Sequence, residues 1–130
     1  MNFIQKIFAL KKIPPFTELR DMELSLVAKV SREQIFQPGQ IVAGSGTILS
    51  SLYVVLEGSI ELEDGHALPA VVGTNSLLFD NPLSGDVVSD KNTGAHCLRI
   101  NKEHFFTIVN ECPSFVVGLM KIAYREGTFV

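Results

Sequence analysis

Gln34-Ile35-Phe36-Gln37-Pro38-Gly39-Gln40-Ile41-Val42-Ala43-Gly44-Ser45-Gly46 and, after a short gap, Leu52-Tyr53-Val54-Val55-Leu56-Glu57-Gly58-Ser59-Ile60-Glu61-Leu62-Glu63-Asp64-Gly65 decide the fold. Both stretches are short β-type runs cut by turn formers, too brief for helices and too frequently interrupted for long strands. Ser59 to Glu63 alternates strictly. Ile60 and Leu62 fall on one face and Ser59, Glu61 and Glu63 on the other, so that one sheet face meets solvent, and Asp64-Gly65 then closes a hairpin. Glycines 39, 44, 46, 58 and 65 read as turn residues with positive φ. Ala67 to Val72 and Ala95 to Ile100 supply further strands. Between them, Gly73 to Asn92 mixes turn formers with small apolar clusters and has no clear period.

Outward from this core the period changes to that of helices. Phe3, Ile4, Ile7, Phe8 and Leu10 recur at helix-face intervals until Ile13-Pro14-Pro15-Phe16 ends the helix. Asp21 is the expected cap of a second helix, with Leu24, Val27 and Val30 and either Met22 or Leu26 on its apolar face, ending at Ser31-Arg32. Asn101 is placed to cap a helix carrying Phe105, Ile108 and Val109. Cys112-Pro113 breaks that helix before a last one bearing Phe115, Val116, Leu119, Met120 and Ala123. The expected fold is α+β, mainly β: one domain over residues 1–130, with a helical lead-in (1–32), an antiparallel β-roll of jelly-roll type (33–100) and closing helices (101–130).

Composition narrows the function classes. The 130 residues suffice for a single core, and 46% hydrophobic against 19% charged residues argues against disorder. A formal net charge of −3 argues against a nucleic-acid partner, and no apolar run reaches the ~20 residues of a membrane span. Cys97 and Cys112 follow no metal or redox spacing, which makes a reducing cytoplasm the expected location. His66, His96 and His104 form no recurrent ligand spacing with them, so no metal, cofactor or catalytic residue is expected. Adjacent His96 and Cys97 point to opposite sides of a strand and cannot form a nucleophile and base pair. A cupin-type metal enzyme would also need a His-x-His pair, which is absent from the sequence. Lys6, Lys11 and Lys12 beside the apolar residues of the first helix suggest either an amphipathic surface segment or, as preferred, a helix packed on the roll.

The residues from Ile13 through the Pro and Phe that precede the second helix, then Pro38-Gly39, Ile41-Val42, Gly44, Gly46, Leu52-Tyr53-Val54-Val55 and Gly58-Ser59-Ile60, resemble the cyclic-nucleotide-binding domain superfamily in order and spacing. Asn101 to Phe105 and the helix after it are similar to the family's closing helices, so the resemblance covers nearly the whole chain. It implies a phosphate-binding cassette in which a Gly-Glu pair opens a short helix and holds the ribose, and an Arg followed by a small residue holds the cyclic phosphate. Here that region is Gly73 to Val88. Its implied ligand positions are Ser76, Leu77, Leu78, Asp80, Leu83, Ser84, Gly85, Asp86 and Val87. Aligned on Pro82, the Arg position is Leu83; counted back from Ile100, it is Gly85. Neither is a cation, and no Glu stands at the ribose position. The loop between Gly73 and Pro82 is also short, which predicts loss of the small helix.

From Glu33 to Asp90 there are eight acidic residues and no Lys or Arg. A buried phosphate needs a cation or convergent N–H donors. The expectation is therefore a non-catalytic regulatory or sensory module of this fold that does not bind cyclic AMP or cyclic GMP in the usual way, and that takes another small-molecule ligand or acts on other proteins or domains. The alternative is a cyclic-nucleotide-binding domain with a remodelled cassette, using main-chain N–H groups around Leu77 to Asp80. Apolar groups over more than one face of the last helix predict a homodimer through Val116, Leu119, Met120 and Ala123.

Overall fold

The computed structural model describes the backbone of residues 1–126 and the side-chain surroundings of residues 1–122. Helix α1 (Phe3–Leu10) starts at Asn2, whose side chain accepts from the Gln5 N–H while the Gln5 side chain accepts from the Asn2 N–H. A 3₁₀ turn (Phe16–Glu18) leads to α2 (Asp21–Val30). Asp21 is the first helical residue of α2 and not its cap. The cap is Arg20, whose backbone N–H donates to Glu23 at 2.9 Å. A carboxylate in the first turn thus satisfies the orphan donor from inside the helix.

Seven strands follow, β1 (Arg32–Phe36), β2 (Ile41–Ala43), β3 (Ser51–Gly58), β4 (Ile60–Leu62), β5 (Val71–Val72), β6 (Val87–Ser89) and β7 (Ala95–Asn101), with α3 (Thr74–Phe79) between β5 and β6. Helices α4 (Lys102–Glu111) and α5 (Pro113–Glu126) close the chain. All pairings are antiparallel. One sheet has the order β1-β7-β3-β5 and the other β2-β6-β4, giving the α+β architecture of two antiparallel sheets flanked by helices at both ends.

Strand alternation sorts the four-stranded sheet into two buried faces. Leu52, Val54, Val71, Leu98 and Ile100 face the helices, sharing a cluster with Leu24 and Val27 of α2, Phe105 and Ile108 of α4, and Phe115 and Leu119 of α5. Phe36, Val55, Val72, Ala95 and Cys97 face the three-stranded sheet and form the roll interior with Leu49, Ile60, Leu83 and Val87. The layers are therefore helices, four-stranded sheet and three-stranded sheet. Phe16 and Phe115 pack in a tilted pair with ring centroids 5.0 Å apart, and Phe105 meets Phe115 edge-on at 6.4 Å. All three are at most 1% exposed, and at ~1.5–3 kcal/mol per buried ring they tie the N-terminal segment to the closing helices. Gly118 permits this approach, since a Cβ there would lie 2.5 Å from Pro15 Cβ.

Several local expectations are corrected. In α2 the apolar face uses Leu26, while Met22 is 86% exposed. Helix α1 packs through Leu10 and Ile7 and leaves Phe3, Ile4 and Phe8 exposed. Among the expected positive-φ glycines, Gly44 is the exception, while Gly73 and Gly94 join the set. Ala67 to Val72 is paired only at a bridge from Ala67 to Glu61 and at Val71-Val72, because Pro69 cannot donate to a ladder.

Carboxylates pin two turns and the start of β1. Asp90 accepts from the Asn92 and Thr93 N–H groups at 2.8 and 2.9 Å, and the Thr93 and Asn92 bonds hold its carboxyl below the usual range. Glu33 is lowered by the N-terminal amine and then by His96, and Asp64 by the His66 backbone N–H. Because these native values lie beneath the unfolded ones, the stabilisation is complete above the ordinary carboxylate range and is lost as pH falls through the native values. The thermal midpoint should therefore drop below about pH 4. Asp90→Asn, which keeps an acceptor but not the titration, should make that drop shallower in a pH series of melting curves.

Candidate functional site

The implied cassette is distributed over two layers and a surface loop. Helix α3 is present although the loop is short, which corrects the expected loss of the small helix. Gly73 caps it at φ 114°, packed so closely that a Cβ would lie 2.8 Å from the Ser51 carbonyl oxygen. Backbone freedom at Gly73 and burial of Leu77 (2% exposed) in the helix-side core stabilise a Thr-Asn-Ser-Leu-Leu-Phe segment of modest intrinsic propensity.

Leu77 and Leu78 face the helix layer and not the roll interior: Leu77 is part of that core and Leu78 packs against it. Ser76, 2% exposed, donates its hydroxyl to the Asn81 carbonyl at 2.8 Å. Asp80 ends the helix at φ 54°, and its exposed carboxylate lies 3.5 Å from Lys102 Nζ. The Leu77 and Asp80 N–H groups donate to Gly73 and Ser76 carbonyls, so the helix itself uses two of the main-chain donors that the remodelled-cassette alternative needs.

Across the exposed Pro82, Leu83 turns inward. It is 4% exposed and belongs to the roll cluster with Val72 and Val87. Its backbone is held on both sides, the N–H donating to Thr47 and the carbonyl accepting from Gly46, each at 2.8 Å. Ser84 is exposed and Gly85 half-buried, with the place of a Gly85 Cβ 3.8 Å from Glu63 Oε1. Asp86 accepts from the Ser45 N–H at 2.7 Å, which fastens the β2–β3 connection to the loop before β6. Val87, in β6, is fully buried. Both registers for the Arg position thus end without a cation, and the inward-facing one is filled by an apolar side chain.

Two surface clefts among the described residues lie elsewhere. One of about 550 Å³ runs between Pro14-Pro15 and α5, lined also by Val117, Gly118 and Lys121. Another of about 390 Å³ lies between the start of α2 and Cys112. Neither is lined by a cassette residue. The thiols are poor nucleophiles: burial raises Cys97 to about 12, and burial together with a hydrogen bond to Glu23 raises Cys112 to about 11. His66 and His96 pair with Asp64 and Glu33, while His104 Nδ1 and Asn75 Nδ2 are buried without a partner among the described residues. No group of three His, Cys, Asp or Glu able to hold a metal ion occurs among the described residues.

Of the expected interface residues, Leu119 is 2% exposed within the core of its own chain and Val116 is half-buried. Met120 is 46% exposed, and Val117, another of the apolar groups on this helix, is 54% exposed. Ala123 lies outside the residues whose side chains are described. No single helix among the described residues is long and apolar enough to cross a membrane. The sequence matches no protein-family model and no curated protein.

Proposed function

We propose that this chain is a non-catalytic regulatory module built on the cyclic-nucleotide-binding type of roll, whose nucleotide pocket is closed by its own apolar side chains. The observation that carries the reading is Leu83. Where the resemblance requires an inward guanidinium, this chain buries an isobutyl group among Val72, Val87 and Leu49. A cyclic phosphate brought there would lose its hydration and meet no compensating charge. The arrangement of two antiparallel sheets between lead-in and closing helices supports the fold side of the reading. The buried, free Cys97 and Cys112 support a reducing cytoplasmic setting.

A thermal-shift series tests the proposal. A nucleotide bound at ~10 μM would, at ~1 mM, stabilise the fold by about 2.7 kcal/mol and raise the midpoint by several degrees. The expected shift with cyclic AMP or cyclic GMP is less than about one degree on that scale. A rise of several degrees would favour the remodelled-cassette reading instead.

Such a module acts through contacts, and the exposed Val117 and Met120 on α5 make a second copy the first partner to test. A homodimer through this face should appear in sedimentation at micromolar concentration. Met120→Lys should dissociate it, because a charge pressed into an apolar contact costs on the order of several kcal/mol. A single species of monomer mass in the unmodified protein, or a dimer unaffected by that substitution, would remove the dimer from the account.

A further inference from the structure

The register of the four-stranded sheet sets Arg32 directly opposite Arg99, and Arg99 directly opposite Tyr53. Directly opposed residues in an antiparallel pair share a face, with Cβ atoms ~4.5–5.5 Å apart. Two arginine side chains therefore rise from adjacent positions on one face, with a tyrosine next in the row. Their face is the one that lines the roll interior, since Cys97 and Val55 lie two residues along from Arg99 and Tyr53. Both arginines are exposed and Tyr53 is half-buried, which places the row where that face opens to solvent. Tyr53 packs edge-on against Phe36 at 5.8 Å.

Like charges directly opposed across strands repel. Neither arginine has a carboxylate partner among the described residues. The nearest acid in the sheet, Glu33, belongs to the opposite face and is engaged with His96 and the N-terminal amine. Gln34, on the arginine face, brings no charge. An anion would relieve the repulsion. One phosphate monoester dianion neutralises both guanidiniums and offers three oxygens to two planar forks, whereas a carboxylate neutralises only one.

We propose that Arg32, Arg99 and Tyr53 form a binding site for the phosphate group of a small phosphate monoester at the open end of the roll. The site uses no residue of the cassette and is independent of the regulatory reading. Tyr53 supplies a hydroxyl donor, and its burial beside Phe36 limits how far solvent can compete on that side. Exposure of the arginines makes the affinity modest and salt-sensitive.

Nuclear magnetic resonance titration of the full chain with phenyl phosphate and with inorganic phosphate tests the proposal, using sodium chloride at equal ionic strength as the control. The expected result is saturable shifts centred on Arg32, Tyr53 and Arg99 with both phosphates and not with chloride. Arg99→Gln should weaken binding at least tenfold, and Arg32→Gln likewise. Lys91→Gln, in the turn before β7, should leave it unchanged. Because the two arginines are exposed and mutually repelling, neither replacement should lower the thermal midpoint, so lost binding is separable from lost folding. Shifts equal to those with chloride, retained affinity in the doubly substituted chain, or binding of a glutamate-rich peptide in preference to phenyl phosphate would each overturn the proposal.

Discussion

Leu83→Arg should destabilise the protein by at least about 3 kcal/mol and should not create a cyclic-nucleotide site. The side chain is 4% exposed inside the roll cluster, and the Thr47 and Gly46 hydrogen bonds fix its backbone, so the Cα–Cβ bond stays aimed inward and the arginine stem must cross the apolar interior before its charge reaches water. It would enter a region lined by the apolar side chains of Val72, Val87 and Ile60. For a domain of this size the loss corresponds to a fall in thermal midpoint of roughly 10 °C. The neighbouring Ser84→Arg, at an exposed position, should change stability by no more than about 0.5 kcal/mol. Denaturant titration of the two variants checks the contrast. An Arg at 83 that is tolerated as well as one at 84 would mean that the roll interior admits a charge, and the closed-pocket reading would lose its main support.

Gly94→Ala is expected to be comparably severe for a different reason. Residues 90–94 form the turn that leads into β7, with the Gly94 N–H donating to the Asp90 carbonyl at 2.9 Å and the Gly94 carbonyl accepting from Ser59 at 3.2 Å. Gly94 has φ 68°, and a Cβ there would run into the Phe36 carbonyl oxygen and lie 3.1 Å from Pro38 N. Gly58, with φ 74°, would direct its own Cβ into the Gly94 carbonyl. Three strand ends, those of β1, β3 and β7, therefore meet where only hydrogen atoms fit. The left-handed backbone alone costs ~1–2 kcal/mol for alanine, and displacement of a paired backbone raises the total to about 3 kcal/mol or more. Gly65→Ala has similar φ strain but an open surround, and should cost only the smaller amount. Melting curves for the three single variants should rank Gly94 and Gly58 well below Gly65.

The elements legible from sequence are those whose local signals agree with their packing. Ser59 to Glu63 alternates because Ile60 is buried and Glu63 is exposed, and Asp64-Gly65 closes the turn after it. Asn101 caps α4 by accepting from the His104 N–H at 2.9 Å, as an Asn before a helical period should. What escaped had no local signature. Thr74–Phe79 is helical because Gly73 permits the entry angle and the core accepts Leu77; its Thr, Asn and Ser give little propensity. β6 is three residues long and owes its place to ladders with β2 and β4. For the segment from Gly73 to Val88, the sequence does not reveal how its residues divide between two layers, since Leu77 and Leu83 look alike in sequence and face different cores. The arginine row was invisible for a related reason. Alternation along Ala95–Asn101 assigns Arg99 a face, but only the non-local register brings Arg32 beside it.

Isothermal titration calorimetry with cyclic AMP and cyclic GMP tests the central claim most directly. Loss of one partner of a buried charge pair typically costs ~3–5 kcal/mol, or two to four powers of ten in affinity, and on the proposed reading the buried Leu83 stands where that cation would be. The closed pocket predicts no saturable heat for either nucleotide up to about millimolar concentration. Saturable one-to-one binding tighter than about 100 μM, equivalent to ~5.5 kcal/mol, would contradict it.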